Sequence, residues 1–462
     1  TTEILFLASV RNGRIAFPGR YLLDSMKKYN TKLPIYITYA FILFIVYWFI
    51  VKLDALTRNI YGRFDNSGIY LSPHGDILIS ILTSIFIGIL LIIFLGKVRA
   101  QLWAMKAFFT LFIMIPYEAI YGLDSHTYFW RGIDYESAFN VAIWGANSGT
   151  SRLIDFTHYL SIILFDSYYS IKIFFSFLSF LGLIFLYKSY EVIIKDDRNL
   201  ISNKYLIYVL FLLPSILMWS SSLSKDALNL FFVGFFIFGF IGFVQKHNPM
   251  YGFLIGISIT GVFFIREWWS IIMLLTLFFY YLSSLFIQPN IKKTLIGILL
   301  LITVSALAYY PINVVLTARD VTWDNFFESV NYISRTMSYG NSSTNPAEIH
   351  SLGDYMLYYI PNLFTALYRP AIWDVRNILT LVSAIENSLL LYFSYQYIAK
   401  NITYLWRNQY TRFLIVYILT WSLLYVIISP PNLGAAIRFK LQVLPVILIL
   451  IFIPMKRIKD GE

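Results

Sequence analysis

The chain has no cysteine among its 462 residues. That excludes a disulfide framework, a thiol nucleophile and any thiolate metal centre. Charge is scarce as well, with Asp, Glu, Lys and Arg making up 13% of the residues against about 25% in soluble domains. Acids are the scarcer sign, 25 against 36 basic residues, for a net charge of +11. There is no P-loop, no Gly-x-Ser-x-Gly elbow, no His-Glu-x-x-His and no dinucleotide fingerprint. The five histidines follow no metal-ligand spacing. What fills the chain instead is apolar: 58% hydrophobic residues, with 41 Phe, 36 Tyr and 11 Trp, and a mean hydropathy of +0.66. These values describe a protein whose solvent is a bilayer. A positive charge confined to one side of that bilayer needs no nucleic-acid partner.

A spanning helix takes about 20 mostly apolar residues, and twelve runs qualify. They are Leu33–Ile50, Ile77–Leu95, Trp103–Tyr117, Ile171–Tyr187, Tyr205–Trp219, Leu228–Val244, Tyr251–Ile265, Ser270–Ile287, Thr294–Tyr310, Ile378–Ile398, Phe413–Ile428 and Leu441–Pro454. Trp103–Tyr117 is short for a span. Ser151–Phe165 carries Arg152, Asp155 and His158 at helical spacing and reads as an interfacial helix. Basic residues stay on the cytoplasmic side, and the turns at 97–99, 188–204, 292–293 and 456–459 then all fall inside. The expected fold is all-α and polytopic, with both termini cytoplasmic and the chain in the cytoplasmic membrane. Residues 1–33 form an inner segment without the apolar core of a signal peptide. Residues 34–455 form the transmembrane domain and 456–462 an inner tail. Two large outer loops, about 118–170 and 311–376, carry amphipathic helices.

Unusual ionisable groups gather on the outer side. Asp124 follows a span within Tyr-Gly-Leu-Asp-Ser-His-Thr-Tyr, with His126 two residues on and Asp134 beyond. A carboxylate there can act as a general base toward a sugar hydroxyl or hold a divalent ion such as Mg or Mn on phosphate oxygens. Equally, it can cap a helix in a solvated loop. The run Trp-Ser-Ser-Ser-Leu-Ser-Lys-Asp (219–226) presents Lys225 at a helix start suited to an anion, or to an ordinary cap. Arg266 and Glu267 sit among aromatics at a membrane end, where unpartnered charges are costly. Arg369 stands in Tyr-Arg-Pro at a re-entry point, and Glu386 lies inside a span, where it reads as a structural partner for an arginine. Arg438 and Lys440 are basic residues on the side where such residues are rare. A phosphate group would explain them, as would snorkelling to headgroups.

The order of these pieces resembles bacterial GT-C-like membrane glycosyltransferases and their surface-polysaccharide relatives. The resemblance rests on Asp-Ser-x-x-Tyr (124–128), Pro-Ser-x-x-x-Trp-Ser-Ser-Ser-x-x-Lys-Asp (214–226), Tyr-Arg-Pro with a later Glu-Asn (368–387), and Asn-Leu-Gly-x-x-x-Arg-Phe-Lys (432–440). It covers about residues 118–445. The resemblance implies a polytopic enzyme using a polyprenyl-linked sugar at the outer face, with Asp124 as base or metal ligand. The chain departs from the commonest pattern, having Asp-Ser-His where two adjacent or alternating acids are usual.

The expected activity is glycosyl transfer from a polyprenyl-phosphate or -pyrophosphate sugar to a growing surface glycan, alongside other polysaccharide-assembly proteins and without nucleic acid. Asp124 and His126 are the expected catalytic residues. Lys225, Arg266, Arg369, Arg438 and Lys440 would bind phosphate, with Asp134, Glu267 and Glu386 in support. A flippase for a lipid-linked glycan, or a non-catalytic subunit of an assembly complex, would share the same topology.

Overall fold

Apolar runs punctuated by glycine, proline and short polar turns should give long helices with sharp ends, and the computed structural model has that character. It describes residues 73–121, 124–133, 149–196, 203–287, 325–338 and 343–453, with isolated positions between 10 and 52 and between 295 and 309. Strand pairing among the described residues is confined to Val10–Arg11 with Arg14–Ile15 and a single bridge between Ser343 and Asn432. Everything else with regular structure is helical. Helix α1 is Pro73–Leu95. Helix α2, Lys97–Phe108, runs through a π-turn at Phe109–Ile113 into α3, Met114–Tyr121. Next come α4, Asp124–Ile133, and α5, Gly149–Ile163. Then come α6, Tyr168–Asp196; α7, Leu206–Leu212; α8, Pro214–Trp219; α9, Lys225–Lys246; α10, Pro249–Ile265; and α11, Glu267–Ile287. The C-terminal part comprises α12, Phe326–Met337; α13, Leu352–Tyr368; α14, Ile378–Phe393; α15, Ile402–Arg407; α16, Gln409–Ile428; α17, Leu433–Lys440; and α18, Leu444–Ile451.

Seven helical stretches among the described residues are long and apolar enough to cross a membrane, or eight if the bent pair α17–α18 counts as one span. The chain is thus a polytopic membrane-embedded protein. Seven of the twelve expected runs fall on those stretches, including Trp103–Tyr117, which lies within a continuous Lys97–Ala119 helix. Tyr251–Ile265 is a shorter apolar helix from Pro249. Leu441–Pro454 belongs to the pair bent by 60°. Tyr205–Trp219 is broken instead into α7 and α8. Leu213 is extended there (ψ 127°) with Pro214 at the first helical position, because proline disfavours a helical conformation in its predecessor. The stretch 151–165 is helical over Gly149–Ile163, as α5. The expected runs Leu33–Ile50 and Thr294–Tyr310 lie largely outside the described residues.

At the centre, α6 and α9 pack backbone to backbone. A Cβ on Gly182 would collide with the Leu230 carbonyl, and one on Gly234 would collide with Gly182 itself. Small residues permit this approach, which is how helices associate where lipid removes the hydrophobic drive. Around this pair the contacts are aromatic and hydroxylic. Phe240 stacks on Phe413, the Thr276 and Thr420 hydroxyls meet at 2.6 Å, and the Trp269 indole donates to Tyr425 OH at 2.6 Å. The segment after α12 is fixed by Asn331, which both donates to and accepts from the Ile349 backbone, each at 2.8 Å. From there Thr344 N donates to the Pro431 carbonyl at 2.8 Å, which straps the loop onto the turn leading into α17.

Gly182→Val forces α6 and α9 apart and should cost about 3 kcal/mol or more, the upper range for overpacking. Gly256→Val points into open space and should leave the detergent melting midpoint unchanged. A thermal melt of both variants measures the difference.

Candidate functional site

Three breaks between helices bring scattered charges to one place. At the start of α9 the Ser224 hydroxyl caps the helix by accepting from Ala227 N at 3.3 Å, and this aims Asp226 inward, where it is 1% exposed. Between α10 and α11, Arg266 is extended (φ −150°, ψ 100°). Its Nη2 reaches Asp226 Oδ1 at 2.9 Å, and its guanidinium lies over the Phe439 ring, 5.6 Å from the centroid. From α17, Arg438 bonds the other oxygen of Asp226 through Nε and Asp124 Oδ2 through Nη1 at 3.2 Å. Asp124, Asp226, Arg266 and Arg438 therefore form one connected cluster. Within it Asp226 is enclosed, whereas the Asp124 side chain keeps 59% of its surface exposed.

A second ring of contacts holds the Arg266 break in place. Gly149 abuts Ile265 so closely that a Cβ would overlap the Ile265 carbonyl. One turn on, Arg152 Nη1 donates to the Phe263 carbonyl at 3.2 Å and to Glu267 Oε1 at 3.3 Å. Lys225 donates to Thr150 Oγ1 at 2.7 Å. Burial first, and then the Asp124 carboxylate, push the Tyr128 phenol up to about 12 against the lowering effect of Arg438 and Arg266. At neutral pH Tyr128 is therefore a hydroxyl donor beside the cluster.

The turn preceding α9 is supported from beneath by Lys106, which is fully buried. Its Nζ donates to the Ser220 carbonyl at 3.2 Å, to the Ser220 hydroxyl, and to Ser221 Oγ at 3.4 Å. Ser179 donates to the same carbonyl at 2.7 Å. Nearby, Glu118 on α3 pairs with Lys172 on α6 at 2.9 Å and accepts from Tyr168 OH at 3.1 Å. His126, though next but one to Asp124, is buried against Tyr168 with ring centroids 5.6 Å apart. It belongs to this interior network rather than to the wall of the cleft.

Asp124, Ser125, Trp219, Ser222, Ser224 and Arg438 line a narrow cleft of about 10 Å³, space for roughly one water molecule. Trp219 is also the wall of a larger apolar groove of about 430 Å³, which includes Phe109, Tyr117, Val382 and Ile437. The apolar groove and the charged cleft thus share Trp219 as a common wall.

The remaining expected residues lie in other settings. Arg369 holds Asp374 at 2.5 Å and by that hydrogen bond keeps the Asp374 carboxyl below its usual range. The Lys440 ammonium bonds the Asn387 side-chain oxygen, and Glu386 accepts from Ser215 N at 3.0 Å. That bond ties α14 to α8 rather than to an arginine. Asp134 lies outside the described residues. No three His, Asp or Glu side chains converge as metal ligands among the described residues, and both Asp226 oxygens already face guanidinium groups. The donor set does not fit a divalent ion. Sequence reasoning missed Lys106, Glu118 and Lys172, although an ionisable side chain inside an apolar run is itself a signal. It also named Lys225 where Asp226 is the hub.

Asp226→Asn leaves two guanidinium groups without their buried counter-charge, which should cost about 3–5 kcal/mol and appear as loss of folded protein in a detergent melt. Asp124→Asn alters an exposed carboxylate and should leave the same midpoint in place.

Compared with known proteins, the chain matches no family model, no curated protein and no solved structure.

Proposed function

We propose that the protein transfers a glycosyl unit from a polyprenyl-phosphate or -pyrophosphate donor to a glycan acceptor at the outer face of the cytoplasmic membrane. The observation that carries this reading is the shared wall at Trp219, where an apolar groove meets the Asp124–Arg438 cleft. A donor of this kind has the same two-part chemistry, a hydrocarbon tail and an anionic head. The tail lies in the groove and the phosphate meets the cations at its end. Arg266 has Nη1 without a hydrogen-bond partner among the described residues, a donor left over for a phosphate oxygen.

In the transfer, the acceptor hydroxyl oxygen attacks the anomeric carbon. The bond from that carbon to the phosphate oxygen breaks, and its electron pair leaves with the phosphate. The acceptor proton passes to Asp124, the exposed carboxylate of the cluster. Arg438 and Arg266 stabilise the charge developing on the leaving oxygen, while Asp226 holds both guanidinium groups in place. The cleft is smaller than a sugar, so a wall must yield on binding.

A second reading, translocation of the lipid-linked glycan without transfer, draws on one observation: the buried Glu118–Lys172 pair, which joins the ends of two spanning-length helices and is the kind of enclosed charge pair that transporters use. One assay separates the two. Purified protein in vesicles receives a polyprenyl-phosphate sugar and an oligosaccharide acceptor, and both new linkages and donor movement are scored. Transfer by wild type, reduced about 10²–10⁴-fold in Asp124→Asn as for loss of a general base, is the expected result. Movement of donor with no new linkage would replace transfer by translocation.

A further inference from the structure

A second charged position lies at the other end of the same helices. Ser284 stands about 25 Å along α11 from Glu267, at roughly 1.5 Å per residue, so its surroundings belong to the opposite membrane face from the Asp226 cluster. There Arg412, near the start of α16, is only 5% exposed. Its Nη2 donates to Ser284 Oγ at 3.0 Å and its Nη1 to the Trp406 carbonyl at 3.3 Å. The guanidinium lies over the Tyr280 ring, 5.3 Å from the centroid. Among the described residues its Nε has no hydrogen-bond partner, and the guanidinium forms no ion pair with any described carboxylate. Among the buried arginines it contrasts with Arg266, which faces Asp226.

A buried guanidinium in so apolar a setting calls for an anion. The surface beside it shows the form that anion takes. Val416, Leu419 and Leu423 continue the face of α16 that Arg412 begins, at spacings of four, seven and eleven residues. They line an apolar groove of about 610 Å³ between α11, α13 and α16. The two features are joined at both sides. Trp406 lines the groove and supplies the carbonyl that Arg412 holds, and Ser283 lines it next to Ser284. Exposed Lys400 and Arg407 on the connection into α16 add positive charge at the same end.

We propose that this groove is a binding site for an anionic phospholipid, with one acyl chain against Leu419 and Leu423 and the phosphodiester oxygens accepting from Arg412. The assignment does not depend on how the Asp226 cluster is read. A zwitterionic lipid offers the same phosphate but brings its own cation to a patch that already carries three, which gives the site its preference.

Native mass spectrometry of the full-length protein in detergent tests this, with phosphatidylglycerol and phosphatidylcholine of identical acyl chains and glycerol phosphate as the chainless probe. One phosphatidylglycerol should stay bound at collision energies that strip phosphatidylcholine, and glycerol phosphate should not be retained. Arg412→Gln should reduce the retained phosphatidylglycerol about tenfold. Leu419→Trp, which fills the groove and leaves Arg412 intact, should reduce it similarly and keeps the test open if the arginine variant does not fold. Equal retention of both lipids, retention of glycerol phosphate, or wild-type retention of phosphatidylglycerol by either folded variant would overturn the proposal.

Discussion

One buried carboxylate organises the charged end of this helix bundle. Asp226 is enclosed by protein, and an ion in that position is tolerated only with full compensation. Two guanidinium groups provide it from parts of the chain far apart in sequence: Arg266 from the break between α10 and α11, and Arg438 from α17. Much of the local architecture follows from delivering those groups. The chain between α10 and α11 is extended at Arg266 and braced by Arg152. The last apolar segment is bent instead of straight, so that α17 carries Arg438 across to α9. Asp124 then joins through the remaining face of Arg438, as the only carboxylate of the cluster with substantial exposure.

The bend in the last segment is itself compensated. Polar backbone freed inside an apolar region must find partners in the protein. At Gln442, between α17 and α18, the carbonyl accepts from Tyr417 OH at 3.2 Å and the side-chain oxygen accepts from the Trp421 indole at 3.2 Å. Helix α16 thereby supports the bend and also presents the Tyr425 phenol to Trp269. Aromatic residues, abundant throughout the sequence, here serve as hydrogen-bond donors to an interrupted helix as much as apolar filler.

The reading from sequence reached the class of fold and several members of the cluster for identifiable reasons. Long apolar runs bounded by charge are visible in one dimension, and seven of them are spanning-length helices among the described residues. Asp124, Arg266 and Arg438 stood out because each is a charge at the margin of such a run. Asp226 did not, because its neighbour Lys225 has the more obvious chemistry; the difference lies in which way Ser224 turns the first residues of α9. His126 looked equivalent to Asp124 in the sequence, yet a step of two on a helix points to another face, and that face meets Tyr168. Lys106, Glu118 and Lys172 were obscured by the apolar residues around them. The break at Leu213 was legible in Pro214 and was overridden by the hydropathy of its surroundings.

The contact of Gly182 with Gly234 has a mechanical consequence. Helices that touch through side chains can slide or tilt as rotamers exchange, whereas two backbones in direct contact have no such compliance. The pair α6–α9 therefore behaves as a stiff spar, and the serine turn with Asp226 is fixed to its end. Any widening of the cleft beside Asp124 must come from the other walls, α4, Trp219 of α8, and α17. Of these, α17 is fastened through Asn432 and Pro431 to the strap at 343–344. Strain applied to that strap is thus transmitted to Arg438, while Asp226 stays with the spar.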